Sequence, residues 1–189
     1  MIKAVILDFY GVIQTDEVII WAEKQTATHP NIRTAVDVAS ARIDLDEITL
    51  DEYYTALALA VDRPVQAVKE ELISEIAINQ PLLEVADQLR SKGIKLAVLS
   101  NDGSSLRGYI EQHNLAQHFD ELFISGELNM MKPDAHVYQY SVKKLGLEPQ
   151  EVIFFDDRQT NIDGAIRAGL QAELYTSVSQ VRKLLFDLV

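Results

Sequence analysis

Five short apolar runs alternate with amphipathic segments along most of the chain, and this alternation constrains the fold more than any other feature. The runs lie at residues 3–8, 95–99, 121–124, 152–156 and 172–175. Each is apolar over most of its length, which is typical of strands that are covered on both faces. Strands separated by helices predict an α/β fold with a parallel sheet and right-handed crossovers.

The segments between the runs carry signals for the ends of helices. Asp134 can cap a helix that ends at Gly146, because Asp favours the first position and Gly the last. A second helix should begin at Asn161 and be closed by Gly169 in the same way. Residues 177–187 predict a terminal helix.

Residues 15–79 interrupt the alternation, because they contain no convincing strand. The sequence Thr49-Leu50-Asp51-Glu52 resembles a capping box, and apolar residues recur at helical spacing. The recurring residues are Trp21, Ile32, Val36, Val38, Ile43, Ile48, Tyr53, Tyr54, Leu57, Leu59, Val68, Leu72 and Ile76. We predict a core domain of residues 1–14 and 80–189 and an inserted helical-bundle cap of residues 15–79. The bundle either packs on the sheet as extra helices or forms a lid over the strand ends.

Charge and composition argue against several classes of function. The 189 residues carry a net charge of −12, so nucleic acid and anionic membranes are poor partners. The chain has no Cys, which excludes disulfides, a thiolate nucleophile and Cys-ligated metal sites. It shows neither a signal peptide nor the ~20 consecutive apolar residues of a membrane span. We expect a cytoplasmic monomer or homodimer that binds neither nucleic acid nor membrane.

Three carboxylates follow directly after two of the apolar runs. Asp8 ends the first run, and the pair Asp156-Asp157 ends the fourth. Asp8 alone could be a helix cap or a turn residue, but carboxylates are costly to bury without a partner. Strand ends that open onto loops are where α/β proteins carry their chemistry. The carboxylates of Asp156 and Asp157 repel each other, and Mg²⁺, which prefers oxygen ligands, would relieve that repulsion.

Two further segments add polar groups that are weak signals individually. Ser100-Asn101 ends the second run, and Lys132 lies in a loop before a helix. Together with Asp8 they predict a phosphoryl-transfer site at the carboxyl edge of the sheet. A carboxylate can attack phosphorus, while a hydroxyl, backbone N–H groups and a Lys hold the phosphate oxygens.

In this combination and order, the motifs resemble those of the haloacid dehalogenase superfamily. They are Asp8-Phe9-Tyr10-Gly11-Val12, Ser100-Asn101, Lys132-Pro133, and Asp156-Asp157 followed by Asn161, Gly164, Ala165 and Gly169. The resemblance spans nearly the whole chain, and residues 125–169 are most similar to members acting on sugar phosphates, notably bacterial α-D-glucose-1-phosphate phosphatases. It implies a Rossmann-like core and, at this insertion point, a helical cap.

The resemblance also implies a role for each matched position. Asp8 would be the nucleophile, and Lys132 would neutralise it and bind the phosphoryl group of a small phosphorylated metabolite. The implied Mg²⁺ ligands are Asp8, the backbone carbonyl of Tyr10, Asp156 and Asp157, and which of the last two binds directly is open. The implied substrate-binding residues are Ser100, Asn101, Lys132 and Gly11, although Asn101 could instead only shape the turn.

Tyr10 departs from the pattern of most phosphatases in the superfamily, which have an Asp at this position. That Asp protonates the leaving oxygen and later activates water, and losing such a group typically costs about 10²–10⁴ in rate. Tyr, with an ordinary pKa of about 10, is seldom a base at neutral pH. The acid would then come from water or from the cap, or the substrate would have a good leaving group such as an anomeric phosphate.

Tyr at this position resembles the dehalogenase branch, in which Asp attacks carbon without a metal. That branch lacks the paired acids found here at Asp156-Asp157. We therefore favour a Mg²⁺-dependent phosphatase acting on a small phosphate monoester, such as a sugar phosphate, through an aspartyl phosphate on Asp8. A 2-haloacid dehalogenase-like hydrolase and a phosphate-binding protein without turnover are the alternatives.

Overall fold

The five predicted runs form one parallel sheet in the computed structural model, which describes residues 1–186, with only the backbone for Phe186. The strands are β1 (Ala4–Leu7), β2 (Lys95–Ser100), β3 (Glu121–Ile124), β4 (Val152–Asp156) and β5 (Gln171–Leu174). Their order is β3-β2-β1-β4-β5, and every neighbouring pair is parallel. The prediction of a Rossmann-like α/β sheet is confirmed.

The register of the central strands brings the carboxyl ends of β1, β2 and β4 to one edge of the sheet. Leu7 of β1 pairs with Val98 of β2 on one side and with Phe155 of β4 on the other. All four β1 residues are buried and alternate between two hydrophobic layers, one on each face of the sheet. Asp8, the next residue, therefore leaves the sheet level with Asp156.

The prediction that every strand is covered on both faces is wrong for β5. Gln171 and Glu173 are exposed, while Ala172 and Leu174 on the other face pack against one hydrophobic layer. As an edge strand, β5 is covered on one face only, so its side chains alternate between solvent and core.

Within residues 1–186, six helices and two 3₁₀ helices surround the sheet. They are α5 (Gln80–Ser91), α6 (Ser105–Gln112), α7 (Ser125–Leu128), α8 (Ala135–Leu145), α9 (Gln159–Arg167), α10 (Val178–Phe186) and the 3₁₀ helices Ala116–His118 and Pro149–Glu151. Asp134 caps α8 by accepting a hydrogen bond from the His136 N–H at 2.9 Å, and Gly146 ends α8 with a φ of +71°. Residue 187, predicted to belong to the terminal helix, lies outside the described residues.

The helix of Asn161 begins two residues earlier than predicted, since α9 starts at Gln159. Gly169 follows its last turn with a φ of +93°, a backbone conformation that favours glycine. None of the helices in residues 1–186 is long and apolar enough to cross a bilayer.

Residues 15–79 contain four helices, α1 (Glu17–Gln25), α2 (Ile32–Ile43), α3 (Leu50–Ala60) and α4 (Val65–Ser74). Their buried side chains form a hydrophobic cluster separate from the two sheet layers. The capping box is present, because Thr49 and Glu52 exchange side chain-to-backbone hydrogen bonds. Val38 and Leu59, which are 60% and 76% exposed, do not belong to the core of the bundle. Ile76 and Tyr54 are only partly buried.

The inserted helices, which we call the cap, contact the core at two places. At the first, the chain leaves and re-enters the core side by side, since the Thr15 N–H donates to Ala77 and the Asn79 N–H donates to Ile13. At the second, the loop after α2 lies on the core. There the hydroxyl of Ser125 donates to the Asp44 carbonyl at 2.5 Å, and the Ser104 N–H donates to the Asp46 carboxylate at 2.8 Å. The cap is therefore held over the carboxyl edge of the sheet.

Two glycines inside helices should respond oppositely to alanine. A Cβ on Gly164 would lie 2.7 Å from the Pro133 carbonyl oxygen and 3.1 Å from the Tyr138 ring, whereas a Cβ on Gly108 would meet nothing within 4 Å. Gly164→Ala should lower the free energy of unfolding by about 1–3 kcal/mol, because the overcrowded neighbours must shift. Gly108→Ala should raise it by about 1 kcal/mol through helix propensity.

Urea denaturation of both variants measures the two changes against the wild type. Equal effects of the same sign would contradict the close packing of α9 against the loop that carries Lys132.

Candidate active site

The centre of the site is a buried Lys that two carboxylates share. The ammonium of Lys132 lies 2.7 Å from Asp8 Oδ1 and 2.7 Å from Asp156 Oδ2. The three side chains are 2%, 8% and 0% exposed, respectively. Burial raises the pKa of the Asp8 carboxyl well above its usual value, although the Lys132 charge opposes this. One ammonium thus serves two carboxylates in a desolvated space, which leaves an excess of negative charge.

Both carboxylate oxygens of Asp156 accept hydrogen bonds from other residues of the chain. Besides Lys132, it accepts hydrogen bonds from the Arg158 N–H at 2.8 Å and from the Asn161 side-chain amide at 3.0 and 2.9 Å. Although burial opposes it, the Lys132 charge and the hydrogen bonds from Lys132 and the Arg158 N–H hold the pKa of Asp156 below its usual range. In the sequence, Asn161 is part of a motif but has no assigned role. Its amide positions the carboxylate of Asp156, which in turn positions the ammonium of Lys132.

Asp157 lies beside this group and is exposed. Its carboxylate accepts no hydrogen bond from any of residues 1–186, and partial desolvation beside the buried group, followed by the charge of Asp156, raises its pKa. Ligand oxygens of Asp8, Asp156 and Asp157 lie within 4.8 Å of one another. Such a set of carboxylate oxygens, one of them uncommitted, fits a hard divalent cation.

Gly11 makes room for the Asp157 carboxylate. A Cβ at this position would lie 2.3 Å from Asp157 Oδ2, and the backbone has a φ of +77°. Both conditions require glycine here. Its N–H donates to the Gln14 carbonyl at 2.7 Å and is therefore already engaged within the turn.

Ser100 and Asn101, at the end of β2, have different environments. The Ser100 hydroxyl is fully buried and has no hydrogen-bond partner among the described residues. The Asn101 amide donates to the Lys132 carbonyl at 2.9 Å and accepts from the Lys132 N–H at 2.8 Å. Asn101 thereby fixes the loop that carries Lys132 to the end of β2, while the Ser100 hydroxyl is free to bind another group.

Tyr10 uses its hydroxyl to hold a fourth carboxylate. The hydroxyl donates to Asp102 Oδ2 at 2.7 Å. Burial and the neighbouring Asp102 charge raise the pKa of Tyr10 well above its usual value, so the phenol stays protonated. Burial also raises the pKa of Asp102 to about 6. Tyr10 is thus a hydrogen-bond donor and not a base.

A cavity of about 150 Å³ connects this site to the cap. Core residues Asp8, Tyr10, Asn101, Asp102, Lys132, Arg158 and Asn161 and cap residues Asp16, Glu17, Asp37, Asp44, Tyr53 and Tyr54 line it, with several apolar cap side chains. The Arg158 guanidinium donates to Asp16 at 3.0 Å across the boundary between the two parts. The cap is therefore a lid over the strand ends. Trp21, which is also part of the cap, packs inside the helical bundle.

Sequence reasoning missed the acidic residues of the cavity. Burial raises the pKa values of Glu17 and Asp44 to about 7 each. Asp102 could have been found, because it directly follows Ser100-Asn101 at a strand end. Glu17 and Asp44 carry no comparable signal, since only the docking of the cap brings them to the site.

Comparison with known proteins places the chain among hydrolases. The haloacid dehalogenase-like hydrolase family matches residues 2–169. Bifunctional epoxide hydrolase 2 of Sus scrofa is 31% identical over 67% of this chain and 26% of that protein. (S)-2-haloacid dehalogenase 4A of Burkholderia cepacia is 28% identical over 55% of this chain and 47% of that protein. Phosphorylated carbohydrates phosphatase of Thermotoga maritima is 26% identical over 54% and 49%. The matches cover less than half the length of each of these relatives.

Solved structures share the fold at low sequence identity. A HAD family enzyme from Bacteroides thetaiotaomicron superposes with a TM-score of 0.77 at 18% identity, over 97% of this chain and 98% of that one. Its complex with magnesium and inorganic phosphate has a TM-score of 0.73 at 19% identity, over 93% and 95%. L-2-haloacid dehalogenase from Xanthobacter autotrophicus, with chloropropionic acid covalently bound, has a TM-score of 0.66 at 19% identity, over 98% and 83%.

The family match covers most of the chain, and the shared fold extends over nearly all of it. The resemblance seen in the motifs is confirmed at the level of the superfamily, while the narrower similarity to glucose-1-phosphate phosphatases stays a prediction. The chain is a member of the haloacid dehalogenase-like hydrolases.

Proposed function

We propose that the chain is a Mg²⁺-dependent phosphatase that hydrolyses a small phosphate monoester, such as a sugar phosphate, through an aspartyl phosphate on Asp8. The observation that carries this proposal is the third carboxylate, Asp157, beside the buried group of Asp8, Lys132 and Asp156. Three carboxylates with one ammonium hold more negative charge than a site for an anionic phosphate can tolerate without a cation.

The residues present fit Mg²⁺. Asp8 and Asp157 would bind it directly, together with the backbone carbonyl of Tyr10. The oxygens of Asp156 are already engaged with Lys132, Asn161 and a backbone N–H, so this carboxylate chiefly positions Lys132. Bound there, Mg²⁺ would offset the repulsion between the attacking carboxylate and the phosphoryl group.

The residues of the chain then divide the work. A carboxylate oxygen of Asp8 attacks phosphorus, the bond from phosphorus to the leaving oxygen breaks, and water later hydrolyses the aspartyl phosphate. Lys132 neutralises Asp8 and can donate to a phosphoryl oxygen. The buried hydroxyl of Ser100 lacks a partner, which is costly, and a phosphoryl oxygen would supply one.

Two of the similar proteins support this reaction. The Bacteroides thetaiotaomicron enzyme binds magnesium and inorganic phosphate within a shared fold, and the Thermotoga maritima relative is named as a phosphatase of phosphorylated carbohydrates. We extend both properties to this chain because its own carboxylates and Lys132 form a site that suits them.

Carbon–halogen hydrolysis is the second candidate, and Tyr10 is the residue that favours it. Two similar proteins, from Burkholderia cepacia and Xanthobacter autotrophicus, are haloacid dehalogenases. In that reaction Asp8 would attack the carbon that carries the halogen and displace halide, with no leaving oxygen to protonate. The uncommitted carboxylate of Asp157 counts against it, because such a reaction has no need of another unpaired charge beside Asp8.

The wild-type protein should release p-nitrophenol from p-nitrophenyl phosphate only when Mg²⁺ is present. Asp8→Asn, which removes the nucleophile and keeps its shape, should lower kcat at least about a thousandfold. A colorimetric rate assay with and without EDTA measures both effects. Chloride release from 2-chloropropionate without metal, in the absence of phosphatase activity, would instead support the second candidate.

Asp157 should control the affinity for Mg²⁺ independently of turnover. Saturating Mg²⁺ should raise the melting temperature of the wild type, since a ligand at 100 times its Kd stabilises the folded state by about 2.7 kcal/mol. Asp157→Asn should abolish most of this shift, whereas Asp163→Asn, which changes an exposed carboxylate on α9, should keep it. Equal shifts in the two variants, measured by differential scanning fluorimetry, would rule out Asp157 as a ligand.

A further inference from the structure

The proposed phosphatase lacks an acid at the position where Tyr10 stands. The Tyr10 hydroxyl donates its proton to Asp102 in a hydrogen bond of 2.7 Å, so it is committed to that carboxylate. Cleavage of an alkyl phosphate produces an alkoxide, which needs a proton as it leaves. Another side chain of the cavity must therefore supply this proton, unless the substrate has a good leaving group.

Most carboxylates of the cavity outside the phosphoryl site are committed to other donors. Asp16 accepts from Arg158 and from the Ile19 N–H, and it caps α1. The Glu17 carboxylate accepts from the Gln14 side-chain amide at 3.1 Å. Both oxygens of Asp16 therefore serve structural contacts, and one oxygen of Glu17 is engaged by a residue three positions earlier in the chain.

The remaining carboxylates of the cavity differ in how free they are. Asp102 accepts from Tyr10 and from the Gly103 N–H at 2.7 Å. Asp37 accepts no hydrogen bond from the described residues but is exposed. Asp44 is half-buried, and its carboxylate also accepts no hydrogen bond from any of residues 1–186.

The position of Asp44 is fixed although its side chain is free. Asp44 directly follows α2, and its carbonyl accepts the hydrogen bond of the Ser125 hydroxyl at 2.5 Å. Ser125 directly follows β3 at the carboxyl edge of the sheet and also accepts from the Asp102 N–H at 2.9 Å. A core residue therefore anchors this part of the cap at the strand ends where Asp8 lies.

We propose that Asp44 is a catalytic residue that protonates the leaving alcohol and later activates water. It would do the work of the Asp that most phosphatases of the superfamily have at the position of Tyr10. This inference rests on the proposed phosphatase function. In the first half, Asp8 bonds to phosphorus, and the leaving oxygen takes both electrons of its bond to phosphorus and the proton of Asp44. In the second half, the oxygen of a water molecule bonds to phosphorus while the Asp44 carboxylate takes a proton from that water. The bond between phosphorus and Asp8 breaks, and Asp8 leaves as a carboxylate.

The electrostatic surroundings of Asp44 support both halves of this cycle. Burial raises its pKa to about 7, with contributions from the charges of Asp102 and Asp16, while Arg158 and Lys132 lower it. These four groups lie on different segments that face the cavity. A carboxyl with a pKa near the working pH can both give and take a proton.

The test compares a good and a poor leaving group in the presence of Mg²⁺. Asp44→Asn should lower kcat/KM on β-glycerophosphate about 10²–10⁴-fold. On p-nitrophenyl phosphate, whose leaving group needs no acid, the loss should stay below about tenfold. The same substitution should remove the fall in wild-type β-glycerophosphate hydrolysis that we expect as the pH rises through 7 and Asp44 loses its proton.

Asp37→Asn is the matched control, because it removes the same charge from the exposed end of the cavity and should leave the ratio of the two rates unchanged. Equal losses on both substrates in Asp44→Asn, or no loss on β-glycerophosphate, would overturn the role of Asp44 while leaving the phosphatase intact. If the wild type hydrolyses neither substrate, the proposed function itself fails, and this inference fails with it.

A readout independent of turnover comes from stability. A carboxyl whose folded-state pKa is raised stabilises the fold at low pH and loses that contribution as the pH rises through about 7. Asp44→Asn should therefore melt at a higher temperature relative to the wild type at pH 8 than at pH 5. The absence of this difference would contradict the titration that the proposal needs.

Discussion

The site depends on the burial of Lys132 between Asp8 and Asp156. A buried ammonium is costly unless it is paired, and a buried carboxylate is equally so. Because Lys132 lies 2.7 Å from both carboxylates, removing it would leave two unpaired carboxylates inside the protein, whereas removing either carboxylate would leave one ion pair. Asn101 donates to the backbone carbonyl of Lys132, and Asn161 donates to the carboxylate of Asp156. Both asparagines therefore position the groups that form these ion pairs.

The cap supplies carboxyl groups to the cavity as well as enclosing it. It closes the cavity, and its loop after α2 is fastened to the core through Ser125 and Ser104. Gly103 and Gly126 permit this approach, because a Cβ on either residue would lie within 3 Å of the Asp46 carboxylate. Since docking desolvates the cap carboxyls, it raises the pKa of Asp44 to about 7. Burial against the core therefore sets the acidity of Asp44, which belongs to the cap.

Much of the fold could be predicted from the sequence, because each central strand is a run of apolar residues bounded by helix signals. The failures share a cause: periodicity does not report what covers a residue. Leu59 and Val38 fit the helical spacing but face solvent, and β5 lies at an edge where one face is uncovered. For the site, the motif residues Asp8, Lys132 and Asp156 do meet, whereas the N–H of Gly11 is engaged by Gln14.

The sequence by itself determined the parallel sheet, the membership of the superfamily and the chemical groups at the strand ends, because these follow from local patterns and from motifs in a particular order. Only the tertiary structure decided which carboxylates are free. Asp156 is saturated by donors and Asp157 is not, although they are neighbours in the chain. Asp44 reaches the cavity only through the docking of the cap, since desolvation and hydrogen bonding depend on contacts between segments far apart in sequence.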